Sequence, residues 1–152
     1  MKALKLKEGI YWVGVIDWDL RNFHGYVTQR GSTYNAYLII DDKITLIDNV
    51  KSYLYEEMIT RIKDIIDPSK IDIIIQNHIE MDHSGGLPEL VKLIPKATLY
   101  TNANGIKGLQ RHFKQDWNFQ EVKNGESISI GKRTLSFLTT PMVHWPDNQF
   151  TY

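Results

Sequence analysis

Residues 78–83 read His-Ile-Glu-Met-Asp-His, and Ser84, Gly85 and Gly86 follow directly. Four side chains in that short run, His78, Glu80, Asp82 and His83, offer nitrogen or oxygen donors to a metal ion. In an extended segment, alternation places His78, Glu80 and Asp82 on one side. A turn near Asp82 brings His83 back toward the same centre, so one short loop can serve two ions. The paired glycines permit close backbone approach before the next element. A solvated polar loop is the plainer alternative, but such loops rarely collect four such ligands directly behind a buried strand. The chain has no cysteine. That excludes disulfides, thiolate metal sites, iron–sulfur clusters and cysteine nucleophiles, and leaves histidine and carboxylate as the donors.

The other three histidines differ in context. His144 lies in Thr139–Asp147, a loop that also follows a strand, and beside the first loop it is favoured as a ligand. His24, in Asn22-Phe23-His24-Gly25-Tyr26, fits equally a structural histidine and a group that hydrogen-bonds the ligands. His112 closes a helix, where the negative end of the helix dipole accounts for it without function. Trp12, Trp18, Trp117 and Trp145 are expected to pack rather than to bind.

The elements that must position this chemistry read as α/β. Ile10–Ile16 is β-branched and aromatic, a strand profile. Asp17–Gly31 is a polar loop, and Thr33–Ile40 with Lys43–Ile47 form a hairpin around Asp41-Asp42. Apolar residues at helical spacing predict a helix from Ser52 to about Ile66, stopped by Asp67-Pro68. Ile71–Gln76 is an almost continuous apolar run, as in a strand buried on both faces. Asn77–Gly86 is a loop at its C-terminal end, where sites in open α/β sheets gather. Pro88 opens a helix. A strand at Thr98–Tyr100, a helix near Asn104–Phe113 and strands near Ser127–Ile130 and Thr134–Leu138 follow, and the last residues look like a further strand.

With those residues in view, His78-x-Glu80-x-Asp82-His83 followed by Gly85-Gly86 resembles the signature of the metallo-β-lactamase fold, H-x-H-x-D-H. Glu80 stands at the second histidine position. That exchange resembles the flavodiiron proteins (A-type flavoproteins), and so do Arg21–Tyr26 (RNFHGY), Gly31–Ile39 (GSTYNAYLI) and Pro141–Asp147. The likeness runs over nearly all 152 residues. It implies a metallo-β-lactamase-like αββα sandwich and a non-haem di-iron centre, with His78, Glu80 and His144 on one iron and Asp82 and His83 on the other. It implies that His24 lines the O2- or NO-binding pocket. The family reduces O2 to water or NO to N2O. Its electrons come from FMN in a flavodoxin-like domain, supplied by a rubredoxin-like or flavin donor, with the partner subunit's flavin nearest the irons.

Against that pattern the expected domain is incomplete: residues 1–152 hold the first half of the sandwich and a little more, truncated. The bridging aspartate and a further histidine that the family would supply lie beyond Tyr152, and the flavodoxin-like domain with its FMN is absent. The expectation is therefore an inactive or metal-deficient isolated chain that self-associates through an exposed sheet. A flavin-independent di-iron oxygen sensor and a zinc hydrolase of the wider fold are the alternatives. Eighteen basic residues balance eighteen acidic ones, which argues against a nucleic-acid partner. No apolar run approaches a membrane span, and a cytoplasmic location is expected.

Overall fold

A computed structural model describes residues 1–152. The chain begins with an antiparallel pair, β1 (Leu4–Lys7) and β2 (Ile10–Trp12), then turns off at Gly14 into β3 (Val15–Asp17). A finger of residues 18–31 follows, built on the two-residue strands β4 (Asn22–Phe23) and β5 (Tyr26–Val27). The chain returns as β6 (Ser32–Tyr34) beside β3, β7 (Tyr37–Ile39) beside β2, and β8 (Thr45–Ile47) beside β7. The segments 10–16 and 33–40, each expected as one strand, are thus both split. They break at the same level. Trp12 pairs with Tyr37 on one side of the break and Val15 with Tyr34 on the other. The indole Nε1 of Trp12 donates to Asn35 Oδ1 (2.9 Å) at that level. A side chain at Gly14 would collide with the Tyr34 carbonyl and come within 2.9 Å of the Ala36 nitrogen, so only glycine lets the strands bend away together.

A 3₁₀ turn at Ser52–Leu54 leads into α1 (Tyr55–Lys63). The helix ends earlier than its periodicity predicts. Ile65 and Ile66 both donate to the Ile62 carbonyl, which tightens the last turn. Asp67 then caps a new 3₁₀ turn, accepting from the Ser69 amide at 3.0 Å. β9 (Ile73–Ile75) carries the apolar run, and α2 (Met81–Ser84) and α3 (Leu87–Leu93) connect it to β10 (Thr98–Thr101). α4 (Ala103–Phe113) and β11 (Phe119–Glu121) follow; β11 is too short and polar to stand out in the sequence. Strands β12 (Ser127–Ser129), β13 (Thr134–Thr139) and β14 (Gln149–Thr151) complete the chain.

The seven-stranded sheet has the order β1-β2-β7-β8-β9-β10-β11. Its first four strands pair antiparallel, and β8 through β11 run parallel, each joined to the next by helical connections as parallel pairing requires. β12, β13 and β14 form a separate antiparallel sheet. β9 shows the layering. Ile74 packs with Leu38, Leu46, Met58, Ile62, Leu90 and Leu99 on the helix side. Ile73 and Ile75 point the other way, to Ile39, Ile130, Leu135 and Phe137 between the two sheets. The near-continuous apolar run is therefore a strand buried on both faces, and helix, sheet and sheet stack in that order. No helix is long and apolar enough to cross a membrane.

The small sheet is fastened to the large one by Asp41. Its Oδ1 accepts from the amides of Asp42 and Lys132 (2.9 Å each), and its Oδ2 accepts from the Arg133 guanidinium (2.8 Å). Arg133 also donates to the Glu8 carbonyl at 2.6 Å. The Lys132 amide first, then Asp42 and Arg133, hold the Asp41 carboxyl down at about 2. A depressed carboxyl stabilises the fold above the ordinary aspartate range of about 3.9, and loses that contribution as pH falls through its folded value. Asp41→Asn should accordingly lower the urea midpoint at neutral pH. The gap between variant and wild type should close between about pH 4 and pH 2; a gap constant down to pH 2 would refute the assignment.

Candidate metal centre

β9 delivers the chain to the open end of the sheet at Gln76, and the loop from Asn77 to Ser84 turns back over it. Gln76 is fully buried, and its Nε2 donates to the carbonyls of His78 and His83, both at 2.6 Å. Ser84 Oγ closes the same loop onto the Ile79 carbonyl at 2.6 Å. The extended stretch stops at Glu80 (φ −58°, ψ 150°), and Asp82 sits in the single turn of α2. Helical geometry rather than strand alternation therefore places Asp82, which corrects the sequence expectation. The Gly85-Gly86 expectation fits the packing. A Cβ on Gly85 would lie 2.8 Å from the Ser52 amide nitrogen, one on Gly86 would strike the Asn49 side chain, and the Gly86 amide donates to the Val50 carbonyl at 2.9 Å.

Glu80 is the focus of the site. Its Oε2 lies 3.2 Å from His78 Nε2 and 3.3 Å from His144 Nε2, and its Oε1 lies 2.9 Å from His24 Nε2. Donor atoms of His78, Glu80 and His144 fall within 4.8 Å of one another. Asp82 and His83 stand beside them as a second pair, with Oδ2 to Nε2 at 3.5 Å, and the His78 and His83 rings are 5.5 Å apart. Asp82 Oδ1 and His83 Nδ1 are buried without a hydrogen-bond partner. All six sequence candidates, His24 included, line one cleft of about 380 Å³ with Phe23, Asp48, Asn77, Asn148, Gln149 and Phe150. The lining holds three carboxylates and no lysine or arginine. A nitrogen–oxygen donor set, two buried donor atoms with nothing to bind and an acidic lining without basic residues all fit a metal cation.

Several contributors escape the sequence. Asp147 Oδ2 lies 3.0 Å from His78 Nδ1 and accepts from the Ile79 amide at 2.8 Å. It holds the Nδ1 proton and leaves the Nε2 lone pair facing Glu80, the arrangement by which carboxylates orient metal-binding imidazoles. Burial opposes charge on both partners. Burial is the largest single influence, but the mutual hydrogen bond and charge attraction, joined by Glu80 for His78 and by the Ile79 amide for Asp147, together outweigh it, so His78 is raised and Asp147 lowered from their ordinary values. Asn102, the N-cap of α4, donates to the Asp147 carbonyl, and Asn104 donates to that of Pro146 at 2.9 Å. The His144 loop is thereby tied to the helix. Asp48, at φ 58°, accepts from the Asn77 amide (2.8 Å) and side chain (3.1 Å) behind His83; desolvation in this packed corner pushes its carboxyl up despite those bonds and the nearby His83. In sequence, only the position of Asp147 close after His144 hinted at any of this.

His112 faces Phe113 edge-on at the C-terminal end of α4; it does not line the ligand cleft but an adjoining pocket that it shares with Glu80 and Trp145. Trp12 packs under Arg61, Trp117 stacks with Phe113 and Phe119, and Trp145 sets an edge 5.1 Å from the His78 ring. Trp18 is the exception to the packing expectation: it stands 64% exposed at the base of the finger.

Comparison with known proteins assigns the family. The family model described as ODP family beta lactamase matches residues 33–152. The chain belongs to that family. A nitric oxide reductase of Moorella thermoacetica is 47% identical to this ODP-family chain over 99% of the chain and 39% of the relative. The solved rubredoxin oxygen:oxidoreductase of Desulfovibrio gigas superposes with a TM-score of 0.94 at 44% identity, over 99% of this chain and 38% of that one. A flavodiiron protein from Giardia intestinalis gives 0.95 at 37% identity, over 100% and 37%. The ODP-family chain thus corresponds to the metallo-β-lactamase-like N-terminal part of flavodiiron proteins. It spans about two-fifths of the length of the relatives it matches.

If Asp147 orients His78, Asp147→Asn should weaken metal binding about 10–100-fold and leave the far-UV circular dichroism unchanged. Competition against a chromogenic chelator measures the affinity; an unchanged affinity would reduce Asp147 to a packing residue.

Proposed function

We propose that this chain forms the di-iron part of a flavodiiron-type oxidoreductase that reduces O2 to water or NO to N2O. The observation that carries the reading is Glu80, a carboxylate with imidazole nitrogens of His24, His78 and His144 at 2.9–3.3 Å. A carboxylate in place of a neutral imidazole hardens the site and adds negative charge, which suits iron or manganese better than a hydrolytic zinc. His78, Glu80 and His144 would hold one iron, and Asp82 and His83 the other. When bound, the two ferrous ions supply electrons together to O2 or to paired NO, which a single iron does poorly.

The protein's own groups do the rest. Asp147 fixes the His78 tautomer through Nδ1, and Gln76 fixes the backbone on which His78 and His83 ride. Phe23 and Phe150 supply apolar walls to the cleft. Both reductions consume protons, and the His24 side chain, 49% exposed with Nε2 on Glu80 Oε1, is the group that can take a proton from solvent to the ligand sphere.

Electrons would come from FMN outside these residues, passed on by a rubredoxin-like or flavin donor, in the cytoplasm. Leu138 and Phe150 pair across β13 and β14 and are both exposed, which supports self-association with a second copy over this face. The five donors divide three and two, so the second ion would be held more weakly, and zinc could replace iron when iron is scarce.

Anaerobic iron loading followed by mass spectrometry should give two irons per chain and an optical band that changes on exposure to O2. Stoichiometric zinc with esterase turnover would instead transfer the protein to the hydrolases. Glu80→His should shift preference from iron toward zinc by at least about tenfold in competition, the order of a change in ligand type. Unchanged selectivity would undo the argument from hardness.

A further inference from the structure

We propose that Lys51 is the positioning residue that clamps the His24 finger over the ligand loop. This inference rests on reading that loop as a metal centre. It concerns a side chain that lines no part of the cleft.

The finger is weakly tied to the body. Residues 18–30 form hydrogen bonds among themselves, as in Thr28 Oγ1 to the Leu20 carbonyl (2.7 Å) and Arg21 to the Trp18 carbonyl (2.5 Å). The bond that reaches out is His24 Nε2 to Glu80 Oε1 at 2.9 Å. His24 (φ 53°) and Gly25 (φ 79°) form the tight tip between β4 and β5, a turn that needs left-handed backbone at both positions. Nothing lies within 4 Å of a Cβ built on Gly25, so the tip stands in the open. Such a tip cannot fix by itself where His24 points.

Lys51 supplies the missing restraint. Its ammonium lies 4.8 Å from the centroid of Phe23, the residue before His24, and 5.1 Å and 6.0 Å from those of Tyr34 and Tyr53. Cations over ring faces are attracted by the ring quadrupole, and the attraction grows as water is excluded. Tyr34 and Tyr53 are themselves set, because both hydroxyls donate to Asp17 Oδ2 at the root of the finger. The backbone of Lys51 is equally fixed: its Cα lies 3.1 Å from where a Gly85 Cβ would sit, against the end of the ligand loop. One residue thus touches the ligand loop with its backbone and the finger with its charge. Through Phe23 it sets the height of His24 above Glu80. Arginine can also sit on ring faces and preserve the clamp, whereas methionine keeps the stem and loses the charge.

Two measurements test this. In the metal-free protein, trypsin cleavage after Arg21 and Arg30 reports opening of the finger, since cleavage tracks the open population when reclosing is fast. Lys51→Met should raise that rate by about twofold to thirtyfold, the conversion of about 0.5–2 kcal/mol for a cation on aromatic faces. Phe23→Leu should raise it similarly from the other side of the contact, and Lys51→Arg should restore the wild-type rate. In the Co(II)-loaded protein, the visible ligand-field bands report the Glu80 environment. Lys51→Met should shift them toward those of His24→Ala, and the double variant should match His24→Ala alone. Unchanged cleavage in Lys51→Met, or band shifts that add in the double variant, would overturn the proposal. Failure of the wild-type protein to take up Co(II) would count against the metal centre, and the cleavage comparison would still decide Lys51.

Discussion

Gln76 follows directly on β9, and its single side-chain nitrogen donates to two carbonyls, those of His78 and His83. A primary amide has two hydrogens, and the two 2.6 Å contacts use both; the 3.3 Å approach to Asp48 Oδ1 is left as a weaker third. For the His83 carbonyl, which lies in α2, the need is plain from the length of that helix. A helix of four residues cannot satisfy its own terminal carbonyls, and buried carbonyls without a donor are costly. An apolar side chain at this position would leave both carbonyls unpaired beneath the ligands. The spacing of His78 and His83, and with it the reach of both donor groups, follows from this one buried amide.

The layering above and below β9 explains why the site lies where it does. With Ile74 committed to the helices and Ile73 and Ile75 to the second sheet, the strand has no free face for function. Chemistry must wait until the chain leaves the sheet. There β14 comes alongside: the Gln149 amide donates to the Asn77 carbonyl at 3.1 Å, and Thr151 Oγ1 to Asn77 Oδ1 at 2.7 Å. These contacts bring the loop between β13 and β14, and therefore His144, over the loop after β9. The second sheet does more than cover the first; it delivers a donor that the first cannot reach.

The parts legible in the sequence are those whose partners lie close along the chain. His78, Glu80, Asp82 and His83 declare themselves by spacing, and the burial of β9 by its unbroken apolar run. The kink that splits β2 from β3 was hidden, because Gly14 is demanded by Tyr34 and Ala36 on another strand. Asp147 was hidden for the same reason, its imidazole partner being 69 residues away. Trp18 departs from the expectation because an indole usually packs, and nothing local says that it stands at the base of an exposed finger. Lys51 gives no local signal at all, since a lysine before a helix is ordinary until three rings are found around it.

Charge adds a last constraint. The chain as a whole is neutral, with 18 basic and 18 acidic residues, yet the cleft concentrates Asp48, Glu80 and Asp82 with Asp147 behind His78. Carboxylates this close repel one another in a site partly shielded from water, and no lysine or arginine of the lining offsets them. Without a metal, protons must do so, and His78, raised above its ordinary value by Asp147 and Glu80 against the opposing effect of burial, is one place they go. A cation bound there would take over that role and displace the proton from an imidazole that held it. The nearby ammonium of Lys51 would compete for the same role if it faced inward. Turned instead onto the rings of Phe23, Tyr34 and Tyr53, it leaves the acidic cleft without a basic side chain in its lining.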